Sequence, residues 1–212
     1  MRKNKLLIFF FSLIFIIGIS ISAQEKKEIS NPENIIKNIK ERSSNTNSIV
    51  ADFTEKKYLS YMKEPHSSSG VFYYKKENKM RWEQLAPFSY ILLVNDDAVK
   101  IKEDGEEKQN AMSSKVMEKI KKLMLTIING DFTSSKSFTA TYFESNGRYV
   151  VELEPTMARL KKIYKMIELS FDSQSLHLKT LTFMEVSGDK SEMTFLNEQI
   201  NTEVSESVFT KF

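Results

Sequence analysis

The feature that most constrains this chain is a long succession of short segments in which apolar and polar residues alternate, with turn residues between them. Alternation with a period of two is typical of strands that bury one face. About ten such segments follow one another, and helical periodicity occurs at only two places. The pattern predicts an α+β protein built on one highly curved antiparallel sheet or barrel, with helices against its opening.

The predicted strands are joined mostly by short turns. Asn146-Gly147 lies between two of them, and this dipeptide is the strongest short-range signal of a hairpin. A short segment, 204–209, follows the last strand. The strands are predicted at residues 49–59, 70–76, 79–85, 88–94, 98–103, 138–144, 148–154, 163–172, 176–186 and 191–200.

The first predicted helix begins after Ser30, which we expect to cap it, with Pro32 in its first turn. Its single apolar stripe consists of Ile35, Ile36 and Ile39.

The second predicted helix, at residues 114–129, has the clearest periodicity in the chain. Gly130 follows it at the position where a left-handed residue ends a helix. Three interpretations fit its amphipathic pattern: a helix packed on the core, a lid over a lipid site, or a basic helix on a membrane surface. Its apolar positions, spaced three and four residues apart, are Val116, Met117, Ile120, Leu123, Met124, Ile127 and Ile128.

The N-terminus is typical of a secretory signal peptide. Arg2, Lys3 and Lys5 precede an uncharged apolar stretch, and small residues close it near Ala23. An uncleaved membrane anchor is the alternative, but the stretch is shorter than the ~20 residues that span a bilayer. We therefore expect residues 1–23 to be removed, leaving 24–212 as one exported domain.

Composition excludes several classes of function. Without the three basic residues of the N-terminus, 28 basic residues balance 28 acidic ones, so no excess charge argues for nucleic acid. The chain has no cysteine and only two histidines, and it lacks phosphate-loop, dinucleotide-binding and hydrolase motifs. We expect no enzymatic activity, no cofactor and no metal site.

A sheet of this size needs something to fill its concave side. Phe72 and Tyr74 share one face of their predicted strand, and Met80 and Trp82 share one face of the next. Methionine suits surfaces that accept variable apolar shapes. Two interpretations stay open at this point, a plain packed core and a cavity that holds an apolar ligand.

Several segments, in order, resemble the LolA-type family of periplasmic outer-membrane lipoprotein carriers. The resemblance covers residues 31–212 and includes the C-terminal pattern of a strand, an asparagine at Asn201 and a closing Phe209. Its most specific parts are Ala51-Asp52-Phe53-Thr54, Val71-Phe72-Tyr73-Tyr74-Lys75-Lys76, Met80-Arg81-Trp82-Glu83, Pro87, Leu92-Leu93-Val94-Asn95-Asp96 and Met193-Thr194-Phe195-Leu196-Asn197.

The resemblance implies an incomplete barrel capped by a helical lid, with an apolar cavity between them. It also implies a monomeric carrier that takes acylated lipoproteins from an ATP-driven inner-membrane exporter and passes them to an outer-membrane receptor. A carrier or sensor of another lipid on the same fold is the alternative. The residues that we expect to line the lipid cavity are Phe72, Tyr74, Met80, Trp82, Ile120, Met124 and Ile127.

One family feature is altered here. In the family, an arginine at a strand end ties the barrel to the lid, and a proline usually follows it. The matching positions are Lys76 and Glu77. Lysine donates hydrogen bonds but lacks the planar fork of arginine, so Lys76 is a candidate latch of altered geometry, and a solvated lysine at the rim is the alternative.

Overall fold

The computed structural model describes residues 26–96, 98–108 and 114–212, with the side chains of 114–120 left out. The predicted signal peptide, 1–23, lies outside these residues. Within them the chain forms twelve strands: β1 Lys27–Glu28, β2 Ser48–Tyr58, β3 His66–Lys75, β4 Lys79–Ala86, β5 Tyr90–Asn95, β6 Ala98–Glu103, β7 Glu106–Glu107, β8 Phe138–Ser145, β9 Arg148–Pro155, β10 Tyr164–Asp172, β11 Leu178–Glu185 and β12 Lys190–Ile200.

Three α-helices accompany the sheet. They are α1 Glu33–Ser44, α2 Ser114–Ile128 and the single turn α3 Ala158–Lys161. Two 3-10 turns, Asp131–Thr133 and Glu206–Phe209, complete the elements. No helix in the described part of the chain is long and apolar enough to cross a membrane.

All the strands belong to one antiparallel sheet with the order β1-β8-β9-β10-β11-β12-β2-β3-β4-β5-β6-β7. Two meanders, β2 to β7 and β8 to β12, meet where β12 pairs with β2, while β1 and β7 form the open edges. Helix α2 connects β7, at one edge, with β8, beside the other edge. The expected incomplete antiparallel barrel with a helix over its opening is confirmed.

The concave face carries the core. Ala51, Phe53, Phe72 and Met80 are buried, and Phe72 pairs with Trp82 across the β3–β4 ladder. The ring centroids of Phe53 and Trp82 lie 4.0 Å apart. Alternation along each strand therefore identified the inward face, as the period of two requires.

Some local predictions were wrong. Ser30 does not cap α1, because the side-chain oxygen of Asn31 accepts the backbone N–H of Glu33 instead, at 3.2 Å. The short closing segment 204–209, to which no conformation was assigned, includes the 3-10 turn Glu206–Phe209. The two-residue strands β1 and β7 were missed because so short a segment has no periodicity to detect.

Two glycines show why the chain turns where it does. Gly130 adopts φ 69° directly after α2, as the sequence predicted. Gly70 lies at a register shift between β3 and β4, and a Cβ there would come within 1.9 Å of the Glu83 carbonyl oxygen. Only glycine allows this close approach of two backbones. The shift leaves Leu85 unpaired between Gln84 and Ala86, and its side chain is exposed.

The two ends of the sheet differ in chemistry. One end, here the polar end, holds the turns after β3, β5, β8 and β10, and the turns after β3 and β10 contact the C-terminal part of α1. The other end holds the connections after β2, β4, β6, β9 and β11. Eight of the nine large apolar side chains that are exposed in the described residues lie at this end, in the connections after β2, β4, β9 and β11 or in the last residues of β2 and β4. We call these eight the apolar rim: Tyr58, Tyr61, Met62, Leu85, Phe88, Met157, Ile163 and Val186.

Candidate functional site

The candidate site is the space between α2 and the concave face of the sheet. It contains two cavities. The first, the α1 cavity, has a volume of about 100 Å³ and lies beside the C-terminus of α1 at the polar end. Its walls are mainly apolar and include Ile49, Ala51, Phe72, Met124, Ile127, Ile128, Phe171, Leu181 and Phe195.

The second, the rim cavity, has a volume of about 260 Å³ and lies toward the apolar rim. Residues at the strand ends near the rim, such as Tyr90 and Tyr164, form part of its wall. The full set is Met80, Trp82, Tyr90, Leu92, Leu123, Met124, Tyr164, Phe183, Glu185, Ser191 and Met193.

Met124 lines both cavities and is the one side chain of α2 that does so among the described residues. Between them on the sheet lies an aromatic cluster in which Trp82 is 5.9 Å from Phe72 and 6.5 Å from Phe195, measured between ring centroids. Met124 therefore lies where the two cavities adjoin.

Most of the predicted cavity residues lie at these cavities. Phe72 and Ile127 line the α1 cavity, while Met80 and Trp82 line the rim cavity. Tyr74 lines neither of them: its buried hydroxyl donates to Oδ1 of Asn129, just after α2, at 3.1 Å. Burial raises the pKa of Tyr74, which keeps this hydroxyl a donor. Ile120 lies on α2, but its side chain is outside the described ones.

Helix α2 is tied to the sheet at its middle and just beyond its C-terminus. The Tyr74 hydroxyl binds beyond its C-terminus, and the ammonium of Lys121 donates to the backbone carbonyl of Asp96 at 3.3 Å. Sequence reasoning missed both ties, because a tyrosine on a core face and a lysine on a basic helix each have a commoner role.

Lys76 contacts α1 rather than α2. Its ammonium donates to the carbonyl oxygen of Ser44 at 2.6 Å, and its backbone N–H donates to the carbonyl of Asn47 at 2.8 Å. Ser44 ends α1, where unpaired carbonyls and the helix dipole favour a cation. Lys76 therefore joins the β3–β4 turn to the C-terminus of α1.

A second clamp holds the same region. Oδ1 of Asn201 accepts the backbone N–H of Asn47 at 2.6 Å, and Nδ2 of Asn201 donates to the carbonyl of Asn45 at 2.9 Å. Asn201 adopts φ 59°, a conformation that asparagine tolerates better than most residues. The asparagine noted in the sequence pattern thus fixes the connection between α1 and β2.

A charged group closes the α1 cavity at the polar end. The guanidinium of Arg42 contacts Nε2 of His177, and Nδ1 of His177 lies 2.8 Å from the carboxylate of Glu198. Lys179 pairs with the other oxygen of Glu198 at 3.0 Å. Burial, together with Arg42, lowers the pKa of His177 against the opposing effect of Glu198. The ring is therefore neutral at pH 7.

The candidate site contains no metal-binding cluster among the residues that the structure describes. The described residues contain no group of three or more acidic or histidine side chains placed to hold a cation. Its chemistry is that of an apolar interior with a charged closure at one end. Such a space can shelter an apolar chain and keep a polar group at the boundary with water.

Most of the sequence matches one family profile. The profile described as "Outer membrane lipoprotein carrier protein LolA" matches residues 44–211, from the end of α1 to the C-terminus. No curated protein matches the chain significantly.

Solved structures with a similar course of the chain are distant in sequence. A LolA superfamily protein, NE2245 from Nitrosomonas europaea, is 11% identical; the match covers 83% of this chain and 97% of that chain, with a TM-score of 0.41. LprF from Mycobacterium bovis is 11% identical over 82% of this chain and 96% of its own, with a TM-score of 0.39. The complex of MucA and MucB from Pseudomonas aeruginosa is 10% identical, with a TM-score of 0.46; the match covers 82% of this chain and 58% of that chain.

Proposed function

Because the chain belongs to the LolA family of outer membrane lipoprotein carrier proteins, we propose that it carries acylated lipoproteins across the periplasm. It would bind the acyl chains of lipoproteins released from the inner membrane and deliver them to the outer membrane. The observation that supports this proposal most is the mainly apolar interior between α2 and the sheet, divided at Met124.

The energetics are consistent with a carrier. Removing an acyl chain from water is favourable by ~0.8 kcal/mol per methylene, so a carrier must offer a comparably apolar space. The cavities of about 100 and 260 Å³ are smaller than the ~300 Å³ at which ligand sites usually begin. We therefore propose that α2 moves away from the sheet to admit cargo, and that the described form is the closed one.

Lys76 is proposed to stabilise that closed form. Its bond to Ser44 holds the end of α1, which lines the α1 cavity through Arg42 and Ser43. Lys76→Met should remove the bond and accelerate cargo release, and Lys76→Arg should restore slow release. Equal release rates in all three proteins would show that Lys76 is only a solvated residue at the turn.

The proposal also includes the partners and the route. We propose an ATP-driven exporter in the inner membrane as the donor and a lipoprotein receptor in the outer membrane as the acceptor. Export would follow removal of residues 1–23 and leave 24–212 as the working domain. N-terminal sequencing of the periplasmic protein tests the cleavage site directly.

Native mass spectrometry of the protein from its host's periplasm tests the function. An adduct with the mass of an acylated protein is the expected result and would name a cargo. An adduct with the mass of a small lipid would replace the proposal with a carrier or sensor of that lipid. A persistently empty chain, while lipoproteins reach the outer membrane normally, would contradict both.

A matched pair of variants on α2 connects the adduct with the cavity. Met124→Glu places a carboxylate between the two cavities, while Lys122→Glu places the same group on the exposed face of the helix. Only Met124→Glu should lose the adduct. Thermal unfolding of both variants verifies that they fold.

A further inference from the structure

The apolar rim is an unusual surface for a protein that stays in water. Tyr61 is 80% exposed, Phe88 67%, Leu85 60% and Val186 59%. Single exposed apolar residues are ordinary, but a group of them on one end of a domain marks an interaction surface. At the polar end the turns carry mainly polar and charged residues instead.

The connections that carry the rim touch one another. The N–H of Val186 donates to the carbonyl of Ile163 at 3.0 Å, which joins the β11–β12 turn to the start of β10. The N–H of Ser60 donates to Asp189 at 2.8 Å, which joins the same turn to the β2–β3 connection. The β4–β5 connection follows next in the order of the strands, because β3 and β4 are paired. The rim residues therefore lie along one end of the sheet.

Charged residues are segregated at this end of the sheet. The β6–β7 turn carries Glu103, Asp104 and Glu106, and its Asp104 N–H donates to the carbonyl of Ser89, next to Phe88, at 2.9 Å.

Cations lie on the opposite side of the rim. Between β9 and the first residues of β10, the sequence holds Arg159, Lys161, Lys162 and Lys165 and no acidic residue. All four are exposed, and none forms an ion pair with another residue that the structure describes. Lys161 and Lys165, with Glu154, line a surface groove of about 360 Å³ that Val186 and Tyr164 also border.

We propose that the apolar rim docks on the surface of an anionic lipid bilayer. Aromatic and aliphatic side chains beside exposed lysine and arginine are the combination that binds the headgroup region of such a bilayer. Each cation near the surface is attracted to the anionic headgroups, and insertion of the apolar tips adds to the binding.

Docking in this orientation has a consequence for the interior. Tyr164 borders both the groove and the rim cavity, so the rim cavity lies directly behind the docked surface. An acyl chain could then pass between bilayer and cavity over a short path. This consequence depends on the proposed carrier function, but the docking itself does not, because it is measured without cargo.

Flotation of the mature chain with vesicles tests the proposal. The probes are vesicles of phosphatidylethanolamine with phosphatidylglycerol, and vesicles of phosphatidylcholine alone. We expect binding to the anionic vesicles that weakens at high salt, and at least tenfold weaker binding to the neutral ones. Leu85→Ser with Phe88→Ser should weaken binding about tenfold or more.

Two further variants make the test specific. Lys161→Glu with Lys165→Glu should remove the preference for anionic vesicles and leave the fold unchanged. Leu196→Ser is the matched control, since Leu196 is the one large exposed apolar residue of the described chain that lies away from the rim. It should bind vesicles as the unaltered protein does.

The proposal fails if the unaltered protein does not bind anionic vesicles, or if Leu196→Ser weakens binding as much as the rim variants. If the rim variants leave vesicle binding unchanged but prevent association with a purified envelope protein, the rim is a protein interface and the bilayer proposal is overturned. If the unaltered protein does not bind vesicles but still carries lipoprotein adducts, the docking proposal fails and the carrier function stands.

Discussion

The polar end and the apolar rim are built from the same strands, yet they distribute side chains in opposite ways. At the polar end, side chains form hydrogen bonds within the fold: Lys76 binds the backbone of Ser44, Asn201 binds the backbone of Asn45 and Asn47, and Tyr74 binds the side chain of Asn129. At the rim, large side chains point into solvent. The comparison teaches that one end contributes stability through its side chains, while the side chains of the other end are available for binding.

The largest expected effect tests the backbone beneath the rim. Gly70→Ala forces a Cβ against the Glu83 carbonyl and should lower the free energy of unfolding by about 3 kcal/mol or more. Gly147→Ala, in the hairpin turn at the polar end, meets no atom within 4 Å and incurs only the strain of φ 69°, about 1 kcal/mol. Chemical denaturation measures both. Equal losses of free energy in the two variants would mean that β3 and β4 can move apart at Gly70 at little cost.

Asn201→Ala tests the clamp at the polar end. It removes the hydrogen bonds to Asn45 and Asn47 and places alanine at φ 59°, so we expect a loss of about 2 kcal/mol. Asn197→Ala is the control, since Asn197 has a similar φ of 52° but one exposed bond to Asp52. If both variants lose the same stability, the backbone conformation matters and the clamp does not.

A smaller effect should follow pH through His177. Its pKa in the folded protein lies below the ordinary 6.5, so the unfolded chain binds the proton more readily as the pH falls through that range. Stability from this group is complete above about pH 6.5 and decreases below it. Unfolding temperatures measured from pH 7.5 to 5 should therefore fall more for the unaltered protein than for His177→Gln. If the unfolding temperatures of the two proteins fall equally with pH, the pKa of His177 is not lowered in the folded protein.

The smallest effect on stability is expected at the rim itself. Phe88→Ser should change the free energy of unfolding by less than about 0.5 kcal/mol, because the side chain is 67% exposed. A loss above about 1 kcal/mol would show that Phe88 belongs to the core and would remove the contrast between the two ends.

Local features of the fold were predictable from the sequence, and long-range pairings were not. The Asn146-Gly147 turn and the end of α2 at Gly130 depend on backbone conformations that few residues adopt, so the residues themselves reveal them. Alternation identifies a strand and its inward face, but it does not name the partner strand. The pairing of β12 with β2 could therefore not be predicted from the alternation within either strand.

The candidate site was predicted in part for a similar reason. Phe72, Met80 and Trp82 lie on strand faces, and period alone places them toward the interior. Glu198 was missed, although it is nearly buried beside His177 and Lys179, because charged residues in a strand usually face solvent. The partner of Lys76 was missed because the C-terminus of α1 reaches it only in the folded chain.

The junction of the two meanders has a consequence for how the protein folds. Thr54 of β2 pairs with Thr194 of β12, 140 residues later in the chain. Each meander consists of neighbouring hairpins with local contacts, whereas their union requires the closure of a very long loop. Folding should thus be slow at this one step, and a chain that is still on the ribosome cannot complete its sheet until the last strand emerges.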